Sequence, residues 1–340
     1  MNSKQRCLAA INGEPADRVP VFPLLMFLAA GRAGITYREF ASNANALAEA
    51  QLRMREKFNI DAITACSDAF RLSADLGGQM VFPEDKPPYL ASPIVAGQAD
   101  LQRLATPDPT RAGSRMRDRC DAISMMHNAA GHECLVLGWV DMPFAEACAI
   151  CGVTNFMLMI VDDQRLAHAV LDRLTDMVID FALAQLGAGA AMIGAGDAAA
   201  SLISPPMYRE FALPFEQRVC DAVHRAGGLT KLHICGNTSA LLGDMARSGA
   251  DLFNVDHLVD FRLARDAYAA AGKCFKGNLN PVDFLTSTPE QTGRRSLECI
   301  SLARGTRYML SAGCEIPAAV TDDVFRAFCD APKSALSQST

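Results

Sequence analysis

The chain has 340 residues, half of them hydrophobic, with 32 Lys and Arg against 38 Asp and Glu and a net charge of −6. That length and apolar content suffice for a large core, and the acidic balance argues against nucleic acid or an anionic membrane as partner, since both demand concentrated cations. The polar start, Met1 to Leu8, and the lack of an apolar run of membrane-spanning length give the cytoplasm as the expected location, with no membrane association.

In a reducing compartment the 12 cysteines read as buried small hydrophobes, metal ligands or reactive thiols, not as disulfide partners. Strand-like and helix-like stretches then alternate along the whole chain, with no low-complexity linker and no short repeat. A first strand is expected over Val19 to Phe22, a helix over Tyr37 to Phe58 and a second strand over Ala62 to Ala65. The stretch from Phe82 to Arg119, rich in Pro and charge, interrupts the alternation and reads as an excursion over the mouth of the fold, as a lid or an interface element. Strands follow over Leu135 to Val140, Ala191 to Gly194 and Leu229 to Leu232, with helices over Gln164 to Leu186 and Pro206 to Ala226. Beyond them come a helix over Ser239 to Ser248, strand Leu252 to Val255, helix Arg262 to Ala271 and strand Cys274 to Lys276. Helix Pro289 to Ala303, strand Tyr308 to Leu310 and helix Thr321 to Cys329 complete the pattern. Eight strands separated by helices favour an α/β fold in the form of one closed (β/α)8 TIM barrel, a single domain over 1–340.

In such a barrel the reactive groups come from the carboxyl ends of several strands. The sequence places polar groups there: Asp68 after the second strand, Asp141 after the third, Asp197 after the fourth, and His233 with Cys235 after the fifth. Asp256 and His257 follow the sixth, Asn278 the seventh, and Cys314 with Glu315 the last. Of these, His233, Cys235 and Cys314 have the chemistry of a zinc site. Zinc takes Cys sulfur and His nitrogen in a tetrahedral shell, and a catalytic site keeps three protein ligands and an open fourth position. Two thiolates and a neutral imidazole cancel the ion's charge, which suits a bound sulfur that must stay nucleophilic or an ether oxygen that must be polarised. Asp197 is a candidate to move a proton or to hydrogen-bond substrate, against a helix cap or turn. Asp68 and Asp141 are candidates for substrate contact, as are His257 and Asn278, each against an ordinary loop role.

Several stretches are similar to the uroporphyrinogen-decarboxylase superfamily over nearly the whole chain: Ser67-Asp68, Leu76-Gly-Gly78, Gly138-Trp-Val-Asp-Met-Pro-Phe144, Gly196-Asp197, Leu202-Ile-Ser-Pro-Pro-Met-Tyr208 and Lys276-Gly-Asn-Leu-Asn-Pro281. Within it, His233-Ile-Cys-Gly236 and Gly313-Cys-Glu-Ile-Pro317 resemble the zinc-dependent methyltransferases that serve corrinoid proteins. The decarboxylase branch fits less well. Its paired-arginine motif, which grips a many-carboxylate substrate, corresponds to Phe27-Leu-Ala-Ala-Gly-Arg32 and keeps one arginine of two, and a histidine after its last strand corresponds to Cys314. Asp68 matches its pyrrole-binding aspartate. A related cobalamin-independent methyl transfer to thiols uses an acidic ligand after the sixth strand, which would make Asp256 a fourth ligand; orienting His233 from behind is the competing role.

The resemblance implies a zinc-dependent methyltransferase that moves a methyl group between a small methylated compound, or a thiol acceptor, and the cobalt of a separate corrinoid protein. The signature of a cobalamin-binding domain is lacking, so the corrinoid is expected in trans. A decarboxylase-like lyase on a tetrapyrrole and a non-catalytic zinc or tetrapyrrole carrier are the rival readings. The sequence leaves room for a homodimer.

Overall fold

The alternation of apolar strands and amphipathic helices resolves into seven parallel strands that pair strictly in chain order. They are β1 (Ala62–Thr64), β2 (Leu135–Asp141), β3 (Met192–Gly196), β4 (Leu229–His233), β5 (Leu252–Asn254), β6 (Cys274–Leu279) and β7 (Tyr308–Ala312). This is a computed structural model, and it describes residues 1–337. Each strand is joined to the next by a helical crossover on the outside of the sheet, as parallel pairing requires.

The expected first strand, Val19 to Phe22, is not regular. Pro20 and Pro23 have no amide proton to give a ladder, and only an isolated parallel bridge forms, between Val21 and Leu310. The segment nevertheless occupies the eighth stave. Phe22 N–H donates to Leu310 O at 2.9 Å and Leu310 N–H to Pro20 O at 2.8 Å, while Asp61 N–H donates to Val21 O at 2.9 Å. The two edges of the curled sheet are thereby joined through it, and the fold is a (β/α)8 barrel. A buried carboxylate holds the seam. Asp61 accepts hydrogen bonds from Arg6 Nη1 at 2.6 Å, Arg18 Nη1 at 2.7 Å and the Val21 N–H at 2.7 Å.

Side-chain alternation along β2 explains the layering of the interior. Leu135, Leu137, Trp139 and Asp141 point inward in succession. The first two meet Met192, Leu252, Cys274 and Met309 in an apolar plug at the amino end of the strands. The N-terminal helix Ser3–Asn12 closes that end with Cys7, Ala10 and Ile11, and it is fixed by a reciprocal cap between Asn2 and Gln5. At the next layer the ring of Trp139 needs room that only glycine leaves: a Cβ on Gly194 would stand 2.6 Å from Trp139 Cε3.

The helix layer departs from the sequence expectations where a residue caps or breaks a helix. Tyr37 to Phe58 divides into Tyr37–Ser42 and Ala44–Phe58, because Asn43 turns extended and caps the second helix through its side chain. Pro206 to Ala226 divides into Pro205–Phe211 and Leu213–Arg225, the second beginning with Pro214 in its first turn. The helix expected over Ser239 to Ser248 shrinks to Leu242–Met245. Within 82–119 lie the second strand of a two-stranded ribbon (Met80–Val81 with Tyr89–Leu90), helix Gln98–Arg103 and the start of helix Arg115–Ala130, which belongs to the barrel wall. Among the described residues no single helix is long and apolar enough to cross a membrane.

Candidate metal centre and cavity

β4 ends on His233, two residues after Lys231 on the same inward face, and the backbone then turns at Gly236, whose φ of 91° favours glycine. This puts Cys235 beside His233, with Cys235 Sγ 3.1 Å from His233 Nε2. β7 ends at Ala312, and Gly313 packs so closely against the neighbouring loop that a Cβ there would stand 2.3 Å from His257 N. The tight approach swings Cys314 inward, and its Sγ lies 3.8 Å from Cys235 Sγ. The three donor atoms all lie within 4.8 Å of one another.

The donor set fits a tetrahedral ion. Two sulfurs each about 2.3 Å from such a centre are separated by ~3.8 Å, which is the separation the cysteines have. The imidazole is presented in the correct sense: His233 Nδ1–H donates to the Asn254 carbonyl at 3.1 Å, which leaves the Nε2 lone pair facing the sulfurs. Asn254 is itself fixed by donating its side-chain amide to Gly313 O at 3.1 Å, so one residue of β5 braces both ligand-bearing loops. The cysteines do not behave as equivalent thiols. The sulfur contact, with His233 adjacent, pulls the Cys314 thiol down, while Cys235 is driven upward by the same contact and by burial. The pair can share one proton between the sulfurs, and a bound cation would displace it.

These donors sit in the wall of a cavity of about 710 Å³ at the carboxyl end of the barrel. Phe27, Tyr37, Phe70 and Trp139 contribute aromatic surface, and Pro87 with Leu90 to Pro93, from the ribbon and its flank, form part of the wall. Asp68 and Asp141 line it, each tied to an arginine from behind. Asp68 accepts from Arg115 Nη1 and Nη2, both at 2.8 Å, which holds its carboxyl well below the usual range despite burial. Asp141 accepts from Arg71 Nη2 at 2.5 Å, yet burial is the larger effect and raises it to about 6.

Other expected site residues are placed elsewhere. Asp197 does not reach the cavity: it is fully buried and faces Glu216 in the helix layer, where Tyr208 donates to Glu216 Oε2 at 2.5 Å. Apart from the Ala145 backbone N–H the Asp197 and Glu216 carboxyls face each other, so the pair keeps a proton between them, and burial with mutual repulsion raises Asp197 far above an ordinary carboxyl. Asp256 lies outside the three-donor cluster and does not touch His233. Its two oxygens accept from Gly236 N and Leu258 N, both at 2.9 Å, so it braces the Cys235 loop; orientation of His233 falls to Asn254. Asn278 donates to Asp256 O at 3.0 Å and Val259 O at 2.7 Å, which commits its amide to that loop, not to the cavity. His257 is half-buried, 3.0 Å from Asp256, and also lies off the cavity wall.

Three further charged groups lie in or behind the cavity wall. Glu315 accepts from the Met26 and Phe27 amides at 3.1 and 2.5 Å, and burial raises it to about 8. Lys231 is buried with Nζ 4.4 Å from the Trp139 ring centre, and burial lowers it to about 8. Arg115 comes from the irregular segment, where nothing in the sequence pairs it with Asp68. Alternation along β4 and β5 would have turned Lys231 and Asn254 inward; Glu315 was legible only as a neighbour of Cys314.

A family model, Uroporphyrinogen decarboxylase (URO-D), matches residues 2–335. The chain belongs to this family. Uroporphyrinogen decarboxylase from Xanthomonas axonopodis pv. citri (strain 306) is 29% identical over 310 residues, covering 85% of each chain. The enzyme of that name from Prochlorococcus marinus (strain MIT 9211) is 25% identical over 345 residues, covering 96% of this chain and 95% of the relative. Among solved structures, a methyltransferase from Methanosarcina mazei superposes with a TM-score of 0.89 at 23% identity, covering 98% of this chain and 99% of the other. A B12-independent methionine synthase from Shewanella sp. W3-18-1, in complex with selenomethionine, reaches 0.57 at 12% identity over 87% of both chains. The family is thus shared with decarboxylases and the barrel with a methyltransferase, and the chain's own site must separate the two chemistries.

Proposed function

We propose that the chain is a zinc-dependent methyltransferase that moves a methyl group between a small compound and the cobalt of a separate corrinoid protein. The observation that carries this reading is the His233, Cys235 and Cys314 donor set, with tetrahedral sulfur spacing and a free imidazole lone pair, on the wall of a cavity open at the barrel mouth. When bound there, zinc supplies Lewis acidity to the heteroatom of the methylated compound, and the partner's corrinoid supplies the cobalt that carries the methyl group.

The chain's own residues do the rest. Asn254 fixes the His233 ring and the Gly313 carbonyl, so the ligands are preorganised before any ion arrives. Asp256 keeps the Cys235 loop from opening. The apolar walls exclude water from the reacting heteroatom, and Asp68 and Asp141, pinned by Arg115 and Arg71, offer fixed acceptors at the rim.

The names of the decarboxylase relatives favour a second reading, carboxylate removal from a tetrapyrrole. Against it, no Lys or Arg lines the cavity among the described residues, whereas a many-carboxylate substrate needs cations. The remaining arginine of the family's paired motif, Arg32, is engaged outside the cavity: its Nε donates to Asp322 at 2.6 Å and its Nη2 to Val320 O.

Zinc-loaded protein, mixed with a cobalt(I) corrinoid protein and a panel of methyl donors, tests the proposal by the absorbance change of the cobalt. At least one donor should drive methylation, and Cys235→Ser should abolish it. No spectral change with any donor or, in reverse, any thiol acceptor would reject methyl transfer. Uroporphyrinogen turnover unaffected by Cys235→Ser would install the decarboxylase reading.

A further inference from the structure

The end of the barrel opposite the zinc donors holds a second cavity, and its lining carries the charge that the first one lacks. About 640 Å³ in volume, it lies between the eighth stave, the turn from helix Pro289–Leu302 into β7, and the C-terminal helix Asp322–Ser337. Its floor is apolar, built from Val19 and Pro20 of the stave, Ile300 and Ala303 at the end of one helix and Pro332 of the other. Three arginines, Arg18, Arg304 and Arg307, line it with a single carboxylate, that of Glu14. Arg18 is already committed, since its guanidinium spans both oxygens of Asp61 at 2.7 and 3.0 Å. The other two are not balanced. Arg304 is exposed and has no ion-pair partner among the described residues. Arg307 lies across the end of helix Ser3–Asn12, where its Nη1 donates to Ile11 O at 3.3 Å, and it too meets no carboxylate among the described residues. Gly13 makes that placement possible, because its φ is 75° and a Cβ there would stand 2.6 Å from Arg307 Nε. Glu14 is exposed and accepts from Asn12 Nδ2 at 3.4 Å.

Two guanidiniums three residues apart on one tight turn repel each other, and an anion held by both removes that cost. Each presents a planar fork of N–H donors that matches a phosphate or a carboxylate. The volume is that of a small-molecule site, and the apolar floor gives an organic body somewhere to lose its water. We propose that this cleft binds a small amphipathic anion, its apolar body on the floor and its phosphate or carboxylate head on Arg304 and Arg307. Nothing in the site draws on the zinc donors or on methyl transfer. The ligand would also strap the barrel seam. Val19 and Pro20 belong to one of the two staves that meet there and Tyr308 to the other, and the staves are joined by the Leu310 N–H donating to Pro20 O at 2.8 Å. A molecule that touches both binds the closed barrel alone, so it raises the temperature of unfolding.

Calorimetric titration of the full-length protein with phenyl phosphate, benzoate, inorganic phosphate and phenol separates head from body. Phenyl phosphate or benzoate should bind saturably and raise the unfolding temperature, while inorganic phosphate and phenol should each bind at least about tenfold more weakly. Arg304→Ala, a change at an exposed position, should weaken the better ligand by about tenfold with the far-ultraviolet circular dichroism unchanged. Arg304→Lys should fall between the two, since it keeps the charge and loses the fork. Arg307→Ala repeats the test at the second guanidinium. The single tryptophan, Trp139, lines the other cavity, so its fluorescence should stay constant as the cleft fills. The inference is overturned if neither organic anion binds, if inorganic phosphate binds as tightly as its phenyl ester, or if both alanine variants bind like the wild type. A Trp139 signal that saturates with the ligand would place it at the barrel mouth and overturn it equally.

Discussion

Cys235 and Cys314, 3.8 Å apart, each supply one of the two sulfurs that a tetrahedral ion would take at this site. Replacing either by Ser removes one of these two sulfurs. Both variants should retain less than a tenth of the wild-type zinc after dialysis against a weak chelator, measured by elemental analysis. Full zinc retention in either would mean that the ion, if any, is held elsewhere. Asn254→Ala should act less severely, by freeing the imidazole to rotate, with a 10–100-fold loss of metal affinity.

Buried carboxyls at the same scale predict a pH dependence. Glu216 is raised from 4.5 to about 7, chiefly by burial. Its folded-state affinity for a proton exceeds that of the unfolded chain, so its contribution to stability is intact below pH ~4.5 and is lost as pH rises toward about 7. Glu216→Gln keeps an acceptor for Tyr208 and supplies a permanent donor toward Asp197. Urea unfolding between pH 5 and 8 should show a stability decline in the wild type that is shallower in the variant, the difference reaching on the order of 2 kcal/mol. Parallel curves would exclude a shared proton at this pair.

At the level of elements, the seam of the barrel is the point the sequence disguised. Val19 to Phe22 has the apolar character of a strand, but its prolines prevent a ladder, and closure falls to a few backbone bonds and the Asp61 carboxylate. Asp61→Ala would leave Arg6 and Arg18, each under a tenth exposed, without their shared anion. The expected cost is about 3–5 kcal/mol by chemical denaturation, and a loss below 1 kcal/mol would show that the seam does not depend on it. Strand identities were legible because apolar runs bounded by glycine are local signals. The helix breaks at Asn43 and Ala212 were hidden by apolar periodicity that runs through both, although an Asn cap and Pro214 mark them locally.

At the level of the whole molecule, the closed barrel converts distant sequence positions into one cluster, which is why His233, Cys235 and Cys314 could be grouped from residue types and strand ends alone. The same rule overreached for Asp197. A residue just past a strand can turn outward into the helix layer, and nothing in Gly194-Ala-Gly-Asp197 states which way; Glu216, its partner, lies on a helix 19 positions on. Asp256 and Asn278 were placed in the right loops but serve to hold one of them, a distinction that depends on backbone donors and acceptors no motif records. The pairing of Asp68 and Asp141 was likewise invisible, since Arg115 and Arg71 reach them across 47 and 70 residues of chain.

The central claim is that one zinc ion is held by a histidine and two cysteines at the barrel mouth. Zinc K-edge X-ray absorption of the purified full-length protein addresses it directly. The expected result is one zinc per chain with two sulfur scatterers at about 2.3 Å, one imidazole nitrogen near 2.0 Å and a light atom in the fourth position. Protein that binds no zinc, or zinc surrounded only by oxygen and nitrogen, would contradict it.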